Sequence, residues 1–232
     1  SPNSNDISTI FSGSFAVSLI YVSYAYTGWN AATYLSSEIE RPQKYLPLIL
    51  ISGTTIVTAL YILLNFVFLS VAPIDDMQGK IEIGFIAANS AFGGSVANFT
   101  GLVLSLLLIS TVSAMTLAGP RVLQVIGEDF KVLNILSRKR KDGIPSTAVY
   151  IQSLIAIIFI LSSSFESILV FAGFTLALNS FVTVIAVFVL RSKQPNLPRP
   201  YKTFGYPFTP LIYLALTGWT LYFVIINRPI EV

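Results

Sequence analysis

Seven consecutive residues, Tyr24-Ala25-Tyr26-Thr27-Gly28-Trp29-Asn30, sit in the middle of a stretch, Ile7–Ser37, that carries no charged residue. Thr27, Gly28 and Asn30 are poor helix formers crowded into four positions. At membrane depth, irregular backbone is tolerated only where it lines a cavity or is buried in protein. Carbonyls and N–H groups released from a helix there become ligands, and the half-helix ends add partial charges. The chemistry implied is non-covalent binding of a polar solute. The same residues also permit an intact helix packed closely through Gly28, and composition alone leaves both arrangements open. Phe171 and Phe174, three apart and so on one helix face, are a second candidate: they either wall a pocket or pack generically.

Other chemistries lose their usual groups. The chain has no cysteine and no histidine, which removes disulfides, thiolate metal sites, thiol nucleophiles and the commonest general base. No Asp, Glu, Lys or Arg lies inside any long apolar stretch, so neither a carboxylate pair nor an intramembrane proton relay is present within them. A membrane enzyme is disfavoured on these grounds, and no cofactor is expected. The net charge of +3 calls for no nucleic-acid partner.

The elements that must position these residues are read from the distribution of charge. The chain has 232 residues, 54% of them hydrophobic but only 11% charged, with a mean hydropathy of +0.75. Soluble domains carry about a quarter charged residues. The charge-free stretches are Ile7–Ser37, Tyr45–Ile74, Ile83–Pro120, Gly143–Phe165, Ser167–Leu190 and Thr203–Asn227. A helix needs ~20 apolar residues to cross ~30 Å of hydrocarbon, and each stretch is long enough. The expected fold is an all-α, polytopic transmembrane bundle in a lipid bilayer. About six spans are expected, near 13–36, 46–72, 95–120, 145–163, 167–190 and 207–226, the first of them discontinuous. The third stretch is too long for one plain span and divides into an outer interfacial helix, 83–91, the Gly93-Gly94 pair and a span from about Ser95. Gly119-Pro120 is expected to bend that span or end its membrane part.

Six spans sort the basic residues by side. All 14 Lys and Arg except Lys80 and Arg228 fall on one side. The positive-inside rule makes the loops 38–45, 121–142 and 191–206 cytoplasmic in a multi-pass protein of the cell membrane. The run Arg138-Lys139-Arg140-Lys141 is read as a topology signal.

Three strings in order resemble one family. Tyr26-Thr27-Gly28-Trp29-Asn30, followed by Glu38-Ile39-Glu40-Arg41-Pro42 and Lys44-Tyr45-Leu46-Pro47, is similar to the sixth helix and following loop of the amino acid–polyamine–organocation superfamily, near its L-type branch. Ala118-Gly119-Pro120-Arg121-Val122 with Gly127-Glu128-Asp129 resembles the end of the eighth helix. Leu190-Arg191-Ser192-Lys193, Pro198-Arg199-Pro200-Tyr201 and Gly205-Tyr206-Pro207 resemble the loop after the tenth.

The resemblance implies a partial LeuT-type fold, helices six to eleven, with the missing helices one to five and twelve of the same polypeptide as partners. It implies secondary active transport of amino acids by alternating access. The alternative is a transporter-like amino-acid sensor that does not translocate. The implied substrate contacts are Tyr24, Ala25, Tyr26, Thr27, Gly28, Trp29 and Asn30. The carbonyls of Tyr24, Ala25 and Thr27 would take the ammonium, and Tyr24 stands where relatives place an aromatic gate. Thr27-Gly28 stands where L-type relatives often have Gly-Gly. By the same resemblance Ser110, Thr111 and Ser113 are candidate ligands for a coupling ion, with packing at a helix interface as the competing account.

Overall fold

The structure, a computed structural model, describes residues 9–29, 39–140, 143–199 and 201–231, the side chains of 117 and 118 excepted. The described residues are helical, without strands. Helix α1 is Gly13–Ala25, α2 Pro42–Val71, α3 Ile74–Met77, α4 Ile83–Phe92 and α5 Gly94–Asp129. A 3₁₀ helix, Lys131–Ser137, follows, then α6 (Ser146–Ser162), α7 (Phe165–Lys193) and α8 (Phe208–Asn227). The chain is therefore a partial polytopic helical bundle. Four helices, α2, α5, α7 and α8, are long and apolar enough to cross a membrane. Helix α6, with 17 residues, stands at the lower limit. Helix α1 has only 13, and the rest of its stretch, 30–36, lies outside the described residues.

The chain divides into two compact units, one of Ser1–Ile56 with Ser163–Val232, the other of Val57–Ser162. In the first, α1, α7 and α8 pack around Val17, Ile20, Val170, Phe174, Leu221 and Val224. Glycine sets how closely α1 and α7 approach. A Cβ on Gly173 would stand 2.5 Å from Ile20 Cγ2, and Ile20 is fully buried. Lipid tails give apolar helices no reason to associate, so close backbone approach through small residues supplies the attraction. One Glu166 oxygen then ties the three helices together. It accepts the Tyr21 hydroxyl at 3.0 Å and pairs with Arg228 at 2.6 Å. The pair is partly exposed and so contributes at most about 1 kcal/mol; its effect is to fix orientation.

The loop after α7 folds back as a clip. Arg199 donates to the carbonyls of Gln194 at 2.7 Å and Pro195 at 2.9 Å, capping the helix end. Arg191 stacks over the Tyr206 ring at 3.6 Å.

In the second unit α4 turns into α5 at Gly93, whose φ of +83° suits a residue without a Cβ. Helix α5 does not end at Pro120 but runs on to Asp129. Gln152 of α6 donates to the Met115 carbonyl of α5 at 3.3 Å. Beyond the apolar part, Gln124 and then Lys139 hold the Glu128 carboxyl below its usual pKa.

The packing account makes a direct comparison possible. Gly173→Ala should cost about 1–3 kcal/mol through overpacking, read as a lower Tm in detergent. Gly53→Ala on α2, where a Cβ meets nothing within 4 Å, should leave Tm unchanged or raise it. Equal effects at the two positions would contradict the close approach at Gly173.

Candidate functional site

Helix α1 stops at Ala25, and residues 26–29 form a turn. The reasons are local. Thr27 and Gly28 are costly in a helix, and Gly28 adopts φ +101°, a conformation nearly closed to residues with a side chain. The last helical carbonyls are taken by shorter-range bonds: the Tyr26 N–H donates to Ser23 O at 3.2 Å and the Thr27 N–H to Tyr24 O at 3.0 Å. The Thr27 hydroxyl also donates to Tyr24 O, at 2.6 Å. Of the two arrangements the sequence leaves open, the break is the one formed. A Cβ on Gly28 would meet nothing within 4 Å among the described residues, so close packing is not what requires glycine there.

A cavity of about 290 Å³ lies beside this turn. Ser23, Tyr24, Tyr26, Thr27 and Trp29 line it from the α1 side, together with Val22. From α7 come Gly173, Leu176, Ala177 and Ser180, spaced i, i+3, i+4 and i+7 and so forming one stripe. From α8 come Tyr213 and Thr217, one turn apart. Small residues on α7 leave the space open, and hydroxyls on all three elements offer hydrogen bonds. None of these lining residues carries a full charge at neutral pH. The only permanent electrostatic bias is the C-terminal end of α1, a partial negative charge that favours a cation. The arrangement suits a small solute with a cationic donor group and an uncharged remainder.

The sequence-derived candidates fall into separate places. Tyr24, Tyr26, Thr27 and Trp29 are brought together at the cavity. Ala25 is the last residue of α1 and Gly28 completes the turn. Asn30 lies outside the described residues. Phe174 is packed in the core of the first unit, 8% exposed. Phe171, on the same helix, is 41% exposed, and neither lines this cavity. Ser110, Thr111 and Ser113 are exposed along α5. The Thr111 and Ser113 hydroxyls donate to Leu107 and Ile109 carbonyls of their own helix, at 3.0 and 2.9 Å. Sequence reasoning missed Gly173, Ser180, Tyr213 and Thr217. The signal that could have found the first two is the small-residue stripe on α7.

Residues 1–229 match the family described as amino acid permease. The chain is 28% identical over 226 residues to the b(0,+)-type amino acid transporter 1 of Rattus norvegicus, an alignment covering 94% of this chain and 44% of that protein. To Solute carrier family 7 member 12 of Mus musculus it is 26% identical, covering 92% and 45%. To the Large neutral amino acids transporter small subunit 2 of Mus musculus it is 27% identical, covering 94% and 41%. The chain thus spans less than half the length of these curated relatives.

The two phenylalanines provide a check on the site's extent. Phe174→Ala should cost about 3–5 kcal/mol, as a buried aromatic does, whereas Phe171→Ala should cost well under half as much. Thermal unfolding of both variants in detergent decides it, and equal losses would mean that Phe171 is also a core residue.

Proposed function

We propose, on the premise that the chain belongs to the amino acid permease family, that it takes part in secondary active transport of amino acids by alternating access. The turn at Tyr24–Trp29 and the cavity beside it are where substrate is held. The observation that carries this reading is the helix end at Ala25 facing an uncharged, hydroxyl-lined cavity. An α-ammonium offers three donors and a positive charge. Carbonyls at the C-terminal end of a helix answer both needs without burying a counter-carboxylate, which in a low-dielectric site would be costly to leave unpaired in the empty state. The relatives' names identify two of the three as amino-acid transporters by their description. An uncharged lining favours substrates with neutral side chains.

Alternating access requires that such a site open in turn to either side, and a break between half-helices gives the backbone a place to flex. Gly28 supplies that freedom. In the intact membrane protein, Gly28→Leu should abolish binding of labelled amino acid while membrane insertion persists. Leucine is apolar and a good helix former, but at this φ it is strained by roughly 1–2 kcal/mol. Insertion and monodispersity are measured in parallel with binding. Wild-type affinity in this variant would remove the turn from the site, and absence of saturable amino-acid uptake by wild-type proteoliposomes would remove transport.

The orientation follows from the basic residues, with 38–45, 121–142 and 191–206 cytoplasmic. Val132 on the 3₁₀ helix is 94% exposed, and the chain has no native cysteine. A cysteine placed by Val132→Cys should resist impermeant thiol reagents in sealed cells and react once the membrane is permeabilised. Ready labelling from outside would reverse the topology.

A further inference from the structure

The Tyr24 carbonyl is the best-placed acceptor in the proposed site, and it is already full. It lies in the last turn of α1, where the helix dipole concentrates negative charge. A carbonyl oxygen has two lone pairs. Here one takes the Thr27 N–H at 3.0 Å and the other the Thr27 hydroxyl at 2.6 Å. Both residues line the cavity. Hydroxyls that bond back to their own helix are common, and several here do so four residues back within continuous helices, as Thr55 does to Ile51 and Ser70 to Phe66. Thr27 differs from those two. Its bond spans three residues, lies past the end of the helix, and closes on a carbonyl beside a cavity rather than on one inside a continuous ladder.

We propose that the Thr27 hydroxyl is a built-in stand-in for the substrate's ammonium, occupying the Tyr24 carbonyl in the empty site and rotating away when an amino acid binds. The inference rests on the reading of this turn as the substrate site and adds a regulatory term to it. In the empty state the stand-in satisfies an acceptor that would otherwise be left bare at membrane depth. On binding, the ammonium gains one hydrogen bond and the hydroxyl gives one up, so the net gain from this carbonyl is small. Thr27 thereby holds affinity down, which suits a carrier that must release what it binds. It also makes the cost specific to ligands that bring an ammonium to Tyr24.

The test uses the intact wild-type protein and Thr27→Val, Thr27→Ala and Thr27→Ser. Valine keeps the shape without the hydroxyl, alanine removes both, and serine keeps the hydroxyl. The probe is whichever common L-amino acid binds wild type most tightly, paired with its des-amino carboxylic acid. Removing one competing hydrogen bond should tighten amino-acid binding about three- to tenfold in Thr27→Val and Thr27→Ala. Affinity for the des-amino acid should not change, and Thr27→Ser should match wild type for both. Unchanged or weaker amino-acid binding in the valine and alanine variants overturns the stand-in. So does an equal gain for the des-amino acid. Gly28→Leu separates the two levels of the argument. If it abolishes binding while the Thr27 variants fail to tighten it, only the stand-in falls. If it leaves binding intact, or if no amino acid binds wild type, the site itself falls and the stand-in with it.

Discussion

In hydrocarbon every backbone N–H and C=O needs a partner inside the protein, and this one constraint governs the rest of the structure. It is why charge-free stretches become helices and why the four longest run 20 residues or more. It also makes the end of α1 at Ala25 significant. A helix that stops within a charge-free stretch exposes carbonyls that water is not there to satisfy. The chain meets the demand with three-residue backbone bonds and the Thr27 hydroxyl. Those substitutes are individually weaker and more easily exchanged than a helical ladder. Exchangeability is the property that a reversible binding site requires.

The break would have no use if its neighbours closed over it. Gly173 brings α7 against Ile20 of α1 just before the break, and the same stripe of α7 continues with Ala177 and Ser180 toward the cavity. Small side chains therefore do two things along one face. Near Ile20 they permit contact, and one to two turns further on they leave space. The site's position is thus set by where close packing stops, and α8 closes the remaining side with Tyr213 and Thr217.

Much of this was legible in the sequence, and the limits have physical causes. The charge-free stretches gave the all-helical class. The Thr27-Gly28 pair marked where α1 ends, and Gly93 stands where α4 turns into α5. What the sequence could not supply was which faces meet. A soluble helix announces its buried face by contrast between apolar and polar sides, but a membrane helix is apolar all round. Tyr213 and Thr217 therefore look no different in sequence from other polar residues in apolar runs. Phe171 and Phe174 show the same limit. Three residues bring two side chains to within about 60° around the axis, close enough to count as one face in sequence. That offset still leaves Phe174 in the core and Phe171 substantially exposed.

The occupied Tyr24 carbonyl marks a different limit. A sequence can show that a helix breaks, and physics then says that its carbonyls are freed. Whether they remain free depends on a local competition that composition does not rank. Threonine three residues on can reach back to the carbonyl, whereas glycine at that position cannot. The identity of residue 27 therefore bears on the site through hydrogen bonding as well as through bulk. A hydroxyl that holds the acceptor in the empty state also keeps the turn ordered before substrate arrives. The ordering entropy is then met on folding rather than on binding. Part of what the stand-in takes from affinity by competition it returns by pre-organisation, and the balance between the two sets how readily the site fills and empties.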